Sequence, residues 1–272
     1  MRVTLLGTGD TAGTPVPRCD CDTCQLARET GRERSRFSVH VEHEGTGESL
    51  LIDASPDLRA QFLATDVPLP DAAVITHVHF DHLDGLGNAY RLLPELAVHA
   101  ADETDPETGE SVAATVRRRY DYLNAVSVHP QTPFESFEAA GFDVTLVPVE
   151  HPPLVSYGLR IEGDGATLAL TGDTRYSISA RSREALSGAD LLLAEAIVPA
   201  SVCEHHPLGG RDVDENGVPR SFGTKHMTSE GAFALAEELG AQDVRLVHLS
   251  HRYPAAEAFG PKLGVDGDTI EL

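Results

Sequence analysis

The segment "THVHFDH" places three histidines and an aspartate within six residues. They are His77, His79, Asp81 and His82, and they directly follow the apolar run "AAVI" and one threonine. Because side chains alternate along a strand, His77 and His79 can point to the same side. Asp81 and His82 fall where the strand would give way to a helix. Imidazole and carboxylate together suit Zn, Mn or Fe, so the spacing H-x-H-x-D-H predicts a metal site at a strand end.

Three further apolar runs end on the same ligand types. "VTLVPVEH" ends on His151, "ATLALTGD" ends on Asp173, and "VRLVHLSH" carries His248 and His251. Together with the first motif they offer enough ligands for two adjacent metals that share a bridging carboxylate. Such a metal lowers the pKa of a bound water from about 15.7 to roughly 7, so a metal-bound hydroxide would exist at neutral pH. The chemistry predicted is hydrolysis of an anionic substrate such as a phosphate ester.

Three of the four cysteines, Cys19, Cys21 and Cys24, lie within six residues. This spacing is too close for an ordinary disulfide framework and is more typical of a metal site in a reducing compartment. A closed structural zinc site needs a fourth ligand. We favour His251 for that position, and Cys203 in "CEHH" is the alternative. A third interpretation is that the three thiols bind nothing.

These motifs together resemble those of metallo-β-lactamase-fold hydrolases, and the resemblance spans nearly the whole sequence. It implies an α/β fold, a four-layer αββα sandwich with a dinuclear centre at one sheet edge. It also implies the ligand assignment. One metal would be bound by His77, His79 and His151, the other by Asp81, His82 and His248, with Asp173 bridging the two.

A narrower resemblance is to the PhnP branch of that family. It rests on "LGTGDTAGTP", the cysteine cluster, "LIDASPDLRAQFL" and "HLSH". It implies a phosphodiesterase with Zn or Mn in the active centre, a structural zinc on the cysteines and His251, and a homodimer. In "SFGTKHMTSEG", His226 resembles a histidine that lies near the leaving group in this branch. The expected catalytic residues are therefore His226 and Asp81, and the expected substrate is a small cyclic or linear phosphodiester, for example a ribosyl cyclic phosphate.

Other functions use similar residues. A tRNA 3′-end endonuclease would need a basic arm for RNA, and none is visible. A thioester hydrolase would use the same metals, and only an assay separates it. A cofactor-biosynthesis protein of the PqqB kind shares the cysteine cluster, but the complete H-x-H-x-D-H argues against that interpretation.

The remaining pattern predicts the elements that position these residues. Eight strand-like runs are separated by helical patterns at 56–64, 82–93, 110–124, 178–187 and 228–239. This order suits two mixed sheets packed face to face with helices outside, in a single domain over 1–272. A small structural zinc loop is expected at 15–26. The polar stretch from Cys203 to Arg220 is expected to be a long loop.

The composition is strongly acidic, with 43 Asp and Glu against 21 Lys and Arg and a formal net charge of −22. This excess is typical of a salt-accumulating organism, where salt screens the repulsion. It argues against a nucleic-acid partner, which would need clustered cations. No apolar run reaches the length of a membrane span, and the first residues lack the pattern of a secretory signal. We therefore expect a cytoplasmic protein with no membrane partner.

Overall fold

The computed structural model describes all residues from 1 to 272, with sixteen strands and eight α-helices. The strands are β1 Arg2–Gly7, β2 Ser38–Glu42, β3 Ser49–Ile52, β4 Ala72–Ile75, β5 Leu96–Ala101, β6 Val126–Gln131, β7 Ser136–Ala139, β8 Phe142–His151, β9 Leu154–Gly163, β10 Ala166–Leu170, β11 Leu191–Glu195, β12 Gly210–Val213, β13 Pro219–Phe222, β14 His226–Met227, β15 Asp243–Val247 and β16 Thr269–Glu271. The helices are α1 Asp22–Thr30, α2 Leu58–Thr65, α3 Phe80–Leu83, α4 Ala89–Leu92, α5 Val112–Arg119, α6 Ala180–Leu186, α7 Ala200–Cys203 and α8 Ser229–Glu238.

The strands form two large sheets and one small one. The first sheet has the order β16-β1-β2-β3-β4-β5-β6, and the second has the order β15-β11-β10-β9-β8-β7. Strands β3 to β6 are parallel to one another, as are β10, β11 and β15. The small third sheet, β12-β13-β14, is antiparallel. Both large sheets are therefore mixed, as the sequence predicted.

One apolar core joins the two large sheets. It contains Leu5 and Ile52 from the first sheet together with Phe142 and Leu159 from the second, all of them fully buried. Burial of such side chains stabilises the folded state by about 1.5–3 kcal/mol each. The sheets consequently pack face to face through the inward side of each strand.

Helices cover the outer face of each sheet. On the first sheet α2 packs on β1 and α5 packs on β5 and β6. On the second, α6 packs on β8 and β9, and α8 packs on β11 and β15. A second apolar cluster, which includes Leu186 and Leu235, lies under α6 and α8. The layers are thus helix, sheet, sheet, helix, and the predicted αββα sandwich is confirmed. None of the helices combines the length and hydrophobicity required to cross a membrane.

Some elements differ from the sequence prediction. The helix expected at 82–93 is broken into α3, a 3₁₀ segment Asp84–Asn88 and α4. The stretch expected as a long loop from 203 to 220 holds β12 and the first residues of β13, which pair as a hairpin. The zinc loop expected at 15–26 runs into α1, which the sequence analysis did not predict.

The ends of several strands meet at one edge of the sandwich. Strand β4 ends just before His77, β8 ends on His151, β10 ends shortly before Asp173, and β15 ends directly before His248. The parallel pairing of β10, β11 and β15 brings their carboxyl ends to the same side. The fold therefore collects residues that are distant in sequence at this single edge.

Candidate metal centre

The seven predicted active-centre ligands lie together at this edge, and all are buried except His79, which is half-buried. They are His77, His79, Asp81, His82, His151, Asp173 and His248.

The carboxylate of Asp173 lies at the middle of the cluster. Its Oδ2 is 3.3 Å from Nε2 of His248 and 3.4 Å from Nε2 of His82. The same oxygen is 3.8 Å from Nε2 of His77 and 4.0 Å from Nε2 of His151. Asp173 is thus placed between two groups of ligands, which is the position that a bridging carboxylate would need.

One group consists of His77, His79 and His151. Nδ1 of His79 is 3.0 Å from Nε2 of His77 and 3.2 Å from Nε2 of His151. Ligand nitrogens around one tetrahedral zinc, with bonds of about 2.0–2.1 Å, lie about 3.3 Å apart. The spacing and chemistry of these three nitrogens therefore fit a single metal ion.

The other group consists of Asp81, His82 and His248. Oδ2 of Asp81 is 3.7 Å from Nε2 of His82 and 3.7 Å from Nε2 of His248. Both imidazole nitrogens are buried and have no hydrogen-bond partner in the protein. Buried polar atoms are nearly always satisfied, and a metal ion at this point would satisfy both. The residues thus fit a second metal.

Charge at the centre is balanced by close opposite charges. Burial opposes ionisation of Asp173, but the imidazoles of His248 and His82 hold its pKa well below the usual range. Burial likewise opposes protonation of His248, and the carboxylates of Asp173 and Asp81 still raise its pKa to about 9. The carboxylate of Asp173 is therefore ionised and attracts positive charge, whether a proton or a metal.

Asp53 fixes the ligand rings and was missed by the sequence analysis. Its Oδ2 is 2.6 Å from Nδ1 of His82 and accepts a hydrogen bond from Oγ1 of Thr76 at 2.7 Å. That hydroxyl also lies 3.0 Å from Nδ1 of His77. Such contacts on the far side of a ligand ring set its orientation. Asp53 itself has a φ of +54°, in the left-handed region that is costly for a non-glycine residue.

His226 lies beside both ligand groups, at the start of β14. Its ring centroid is 4.9 Å from that of His151 and 5.4 Å from that of His248, and it stacks on the latter. On the other side its Nδ1 is 3.2 Å from Oε1 of Glu195, a second residue that the sequence analysis missed. One ring nitrogen of His226 also lies within 4.8 Å of ligand atoms of Asp173 and His248.

Asp53 and Glu195 both follow apolar runs, "SLLI" and "LLLA", just as Asp173 follows "ATLAL". The same strand-end pattern could therefore have found them. It carries little weight for carboxylates here, because 43 acidic residues make an acid after a strand common. Histidines are rarer, and the pattern was informative for them.

The cysteine cluster forms a separate site. Nδ1 of His251 is 3.5 Å from Sγ of Cys19, 3.4 Å from that of Cys21 and 3.6 Å from that of Cys24. With zinc bonds of about 2.3 Å to sulfur and 2.0–2.1 Å to nitrogen, tetrahedral ligands would lie about 3.6 Å apart. The four residues fit a closed zinc site. Cys203 is not part of it and is buried in a different small apolar cluster.

Comparison with known proteins places this geometry in a family. The family model described as a beta-lactamase superfamily domain matches residues 48–249. A crystal structure of a diphosphatase from the PhnP family superposes with a TM-score of 0.78 and 29% sequence identity, covering 100% of this chain and 97% of that one.

Two curated relatives have different names. A coenzyme PQQ synthesis protein B from Methylobacterium nodulans is 30% identical over 319 residues, covering both chains completely. An octanoyltransferase from Porphyromonas gingivalis is 29% identical over 265 residues, which cover 93% of this chain but only 47% of that protein. The chain thus spans about half the length of the latter relative. By its matched domain and its layers, the chain belongs to the beta-lactamase superfamily and has the metallo-β-lactamase fold.

Proposed function

We propose that this chain is a metal-dependent phosphodiesterase that cleaves a small cyclic or linear phosphodiester. The observation that carries the proposal is the position of Asp173, whose Oδ2 lies within 4.0 Å of four imidazole nitrogens from two ligand groups. Two divalent metals, Zn or Mn, would be held there, and a third metal, a structural Zn, on the cysteine cluster. When bound, the two active-centre metals would activate water and offset the charge of a phosphate group.

The residues of the chain supply the rest of the chemistry. His226 is not required in either ligand group, and it lies next to both, where it can pass a proton from its ring to a departing oxygen. Asp81 acts as a ligand that faces the same space. The similarity to a PhnP-family diphosphatase supports a phosphate-containing substrate. A ribosyl cyclic phosphate is one such substrate, and a homodimer in the cytoplasm is the proposed form of the protein.

The proposal is tested by assay and metal analysis of the same preparation. The purified protein, loaded with Zn or Mn in high salt, would be assayed with bis(4-nitrophenyl) phosphate, a nucleoside 2′,3′-cyclic phosphate, a thioester and a precursor tRNA. We expect hydrolysis of the first two substrates, which are small phosphodiesters, and two active-centre metals per chain. Asp173→Ala should lose at least one of these metals and nearly all turnover.

Each alternative has its own outcome in this experiment. Faster turnover of the thioester would make the chain a thioester hydrolase, and cleavage of precursor tRNA alone would make it an endonuclease. Full metal loading without hydrolysis of any substrate would favour a PqqB-like role. An Asp173→Ala variant that keeps both metals and the wild-type rate would show that the ligand assignment is wrong.

A further inference from the structure

The cysteine cluster contains a C-x-x-C pair at the start of α1. Cys21 is the N-terminal cap of the helix, and Cys24 lies three residues later, in its first turn. Residues three apart on a helix are neighbours on its surface, and the sulfur atoms of this pair lie within 4.8 Å of each other. Cysteines with this spacing at a helix N-terminus are the redox pair of thiol–disulfide oxidoreductases. The two cysteines are therefore placed so that a disulfide can form between them.

The two thiols differ in their access to solvent. Cys21 is half-buried and, together with His251, lines an open cavity of about 460 Å³ between α1 and α7. Cys24 has no exposed surface, and its Sγ accepts a hydrogen bond from the Val16 N–H at 3.3 Å. A small oxidant can thus reach Cys21 from the cavity, while Cys24 is shielded beside it. An exposed thiol with a second thiol next to it is the arrangement found in redox-sensing cysteines.

His251 connects the cysteine cluster to the candidate metal centre. It lies three residues after His248 in the sequence. Between them, the Leu249 N–H donates to the Thr8 carbonyl at 2.9 Å, and the Leu249 carbonyl accepts from the Asp10 N–H at 3.2 Å. His248 has a φ of +56°, in the left-handed region. A non-glycine residue keeps such a conformation only when the contacts around it hold it there, and the contact of His251 with the cysteines supports one side of this segment.

We propose that Cys21 and Cys24 are a redox-sensitive pair, which a hydroperoxide oxidises to a disulfide, with release of the structural zinc and loosening of His248. The inference goes beyond hydrolysis, and it rests on the zinc that the proposed function assigns to the cysteine cluster. A closed zinc site needs four ligands, and a disulfide removes two of them. Without zinc, His251 is no longer held at the cysteines, and the metal centre loses a support of one of its ligands.

The oxidation needs hydrogen peroxide as its only co-reactant. The Cys21 thiolate attacks one peroxide oxygen, the O–O bond breaks, and hydroxide leaves while Cys21 becomes a sulfenic acid. The Cys24 thiolate then attacks the Cys21 sulfur, the S–O bond breaks, and a second hydroxide leaves as the disulfide forms. Two electrons pass from the sulfurs to the peroxide, and the zinc departs as Zn²⁺. A thiol reductant reverses the change by exchange, after which zinc can bind again.

The test uses protein with Mn in the active centre and Zn on the cysteines, so that each metal reports on one site. The protein would be treated with hydrogen peroxide and then catalase, and its metals and its disulfides would be measured by metal analysis and peptide mass mapping. We expect loss of one zinc per chain, a disulfide between Cys21 and Cys24, and affinity for Mn weakened by about 10–100-fold, the usual effect of disturbing the support of a metal ligand. Dithiothreitol followed by zinc should restore the starting state.

Two variants that keep four zinc ligands separate the pair from the rest of the cluster. Cys19→His retains both thiols of the pair, and it should lose zinc to peroxide as the wild type does. Cys24→His removes the second thiol of the pair, and it should keep its zinc for the time in which the wild type loses it. If Cys24→His does not fold, the disulfide maps of the wild type and Cys19→His decide.

Several outcomes would overturn the inference. They are a disulfide that includes Cys19 or Cys203, oxidation of Cys21 without any disulfide, zinc that stays bound after peroxide treatment, and zinc loss from Cys24→His at the wild-type rate. Zinc loss without a change in Mn affinity would overturn the link to His248. A protein that does not hydrolyse bis(4-nitrophenyl) phosphate would contradict the proposed function alone, because the metal and disulfide measurements need no turnover.

Discussion

His226 and Glu195 form a buried pair whose protons matter for the proposed chemistry. Oε1 of Glu195 accepts hydrogen bonds from the backbone N–H groups of Thr174 and Met227, at 3.1 and 3.0 Å, and lies 3.2 Å from Nδ1 of His226. Burial raises the pKa of Glu195 well above its usual range and lowers that of His226 to about 4. A neutral carboxylic acid beside a neutral imidazole carries the same number of protons as a carboxylate beside an imidazolium. Nε2 of His226 can therefore donate its proton to the leaving group while the carboxylic acid of Glu195 transfers its own proton to Nδ1 of His226.

We predict that His226→Ala slows hydrolysis of an alkyl or ribosyl phosphodiester by about 10²–10⁴-fold, the usual contribution of a general acid. The alkoxide that leaves such a substrate is strongly basic and gains from proton donation. Nitrophenolate is a weak base and leaves without proton donation, so the rate of hydrolysis of bis(4-nitrophenyl) phosphate should fall much less than that of the alkyl ester. Kinetics on the two substrates, with metal content measured in parallel, checks this.

Glu195→Gln is the matched variant, because glutamine can still accept the two backbone hydrogen bonds but cannot supply a proton. It should show the same dependence on the leaving group. Equal losses on both substrates for His226→Ala would indicate positioning instead of proton transfer. Loss of a metal would make His226 a ligand.

At the level of residues, the sequence predicted which histidines and aspartates would meet at one edge of the sandwich, and it did not predict the residues that support them. The histidines were predictable because each follows an apolar run, and the fold brings the ends of those runs to one edge. The strand-end pattern could mark Glu195 as a weak candidate, but its contact with His226 depends on the sheet order in which β11 pairs with β10 and β15.

Among the elements, local signals predicted α8 well. The helix expected at 228–239 runs from Ser229 to Glu238, and its cap is Thr228, whose Oγ1 accepts a hydrogen bond from the Gly231 N–H at 3.0 Å. The hairpin of β12 and β13 was missed because β12 is mostly exposed and β13 is half-buried to buried, and neither strand has the apolar alternation that marks a half-buried strand in a sequence. Helix α1 was missed because its one cysteine, Cys24, was assigned to the zinc loop at 15–26.

The strands of the first sheet bury a histidine that has no place at either metal site. His40 on β2 is 1% exposed, its Nε2 has no hydrogen-bond partner, and burial lowers its pKa to about 4. A folded-state pKa below the unfolded value of about 6.5 means that its full contribution to stability is present above pH 6.5. That contribution is lost as the pH falls through 4.

Between pH 6.5 and pH 4, we predict that the wild type loses up to about 3 kcal/mol more unfolding free energy than His40→Gln does. This difference is the equivalent of the shift in the His40 pKa from 6.5 to about 4. Denaturant unfolding at a series of pH values would measure it. His205, whose side chain is 87% exposed, provides the control, and His205→Gln should keep the wild-type slope. An unchanged slope in His40→Gln would mean that another group dominates acid unfolding.

For the whole molecule, the cysteine site links two distant parts of the chain. Cys21 and His251 are 230 residues apart in sequence, and their ligand atoms are 3.4 Å apart. Zinc binding at such sites contributes an apparent 10–16 kcal/mol or so, which rivals the total stability of a domain, about 5–15 kcal/mol. The site is therefore expected to matter more for folding than for the chemical step.

We predict that Cys21→Ser loses one zinc per chain and lowers the melting temperature substantially, as measured by metal analysis and calorimetry. Cys203→Ala is the control for removal of a thiol elsewhere, and it should keep the zinc. A Cys21→Ser protein that lacks the zinc but melts at the wild-type temperature would show that the cysteine site does not stabilise the fold. Loss of zinc in Cys203→Ala would contradict the ligand assignment.

The net charge of −22 is a property of the whole surface, and it should make the stability of the protein depend on salt concentration. Repulsion between exposed carboxylates acts over about 10 Å in 0.1 M salt but only about 3 Å in 1 M. Raising KCl from 0.1 to 1 M should therefore stabilise the folded chain, in which these charges lie closer together than in the unfolded one. A gain of about 2 kcal/mol would raise the melting temperature by roughly 4–8 °C.

Thermal scans of the metal-loaded protein would measure this, and the same concentrations of a neutral osmolyte would separate screening from preferential exclusion. A melting temperature that does not change with KCl, or that rises equally with the osmolyte, would show that charge repulsion does not limit the stability of this protein.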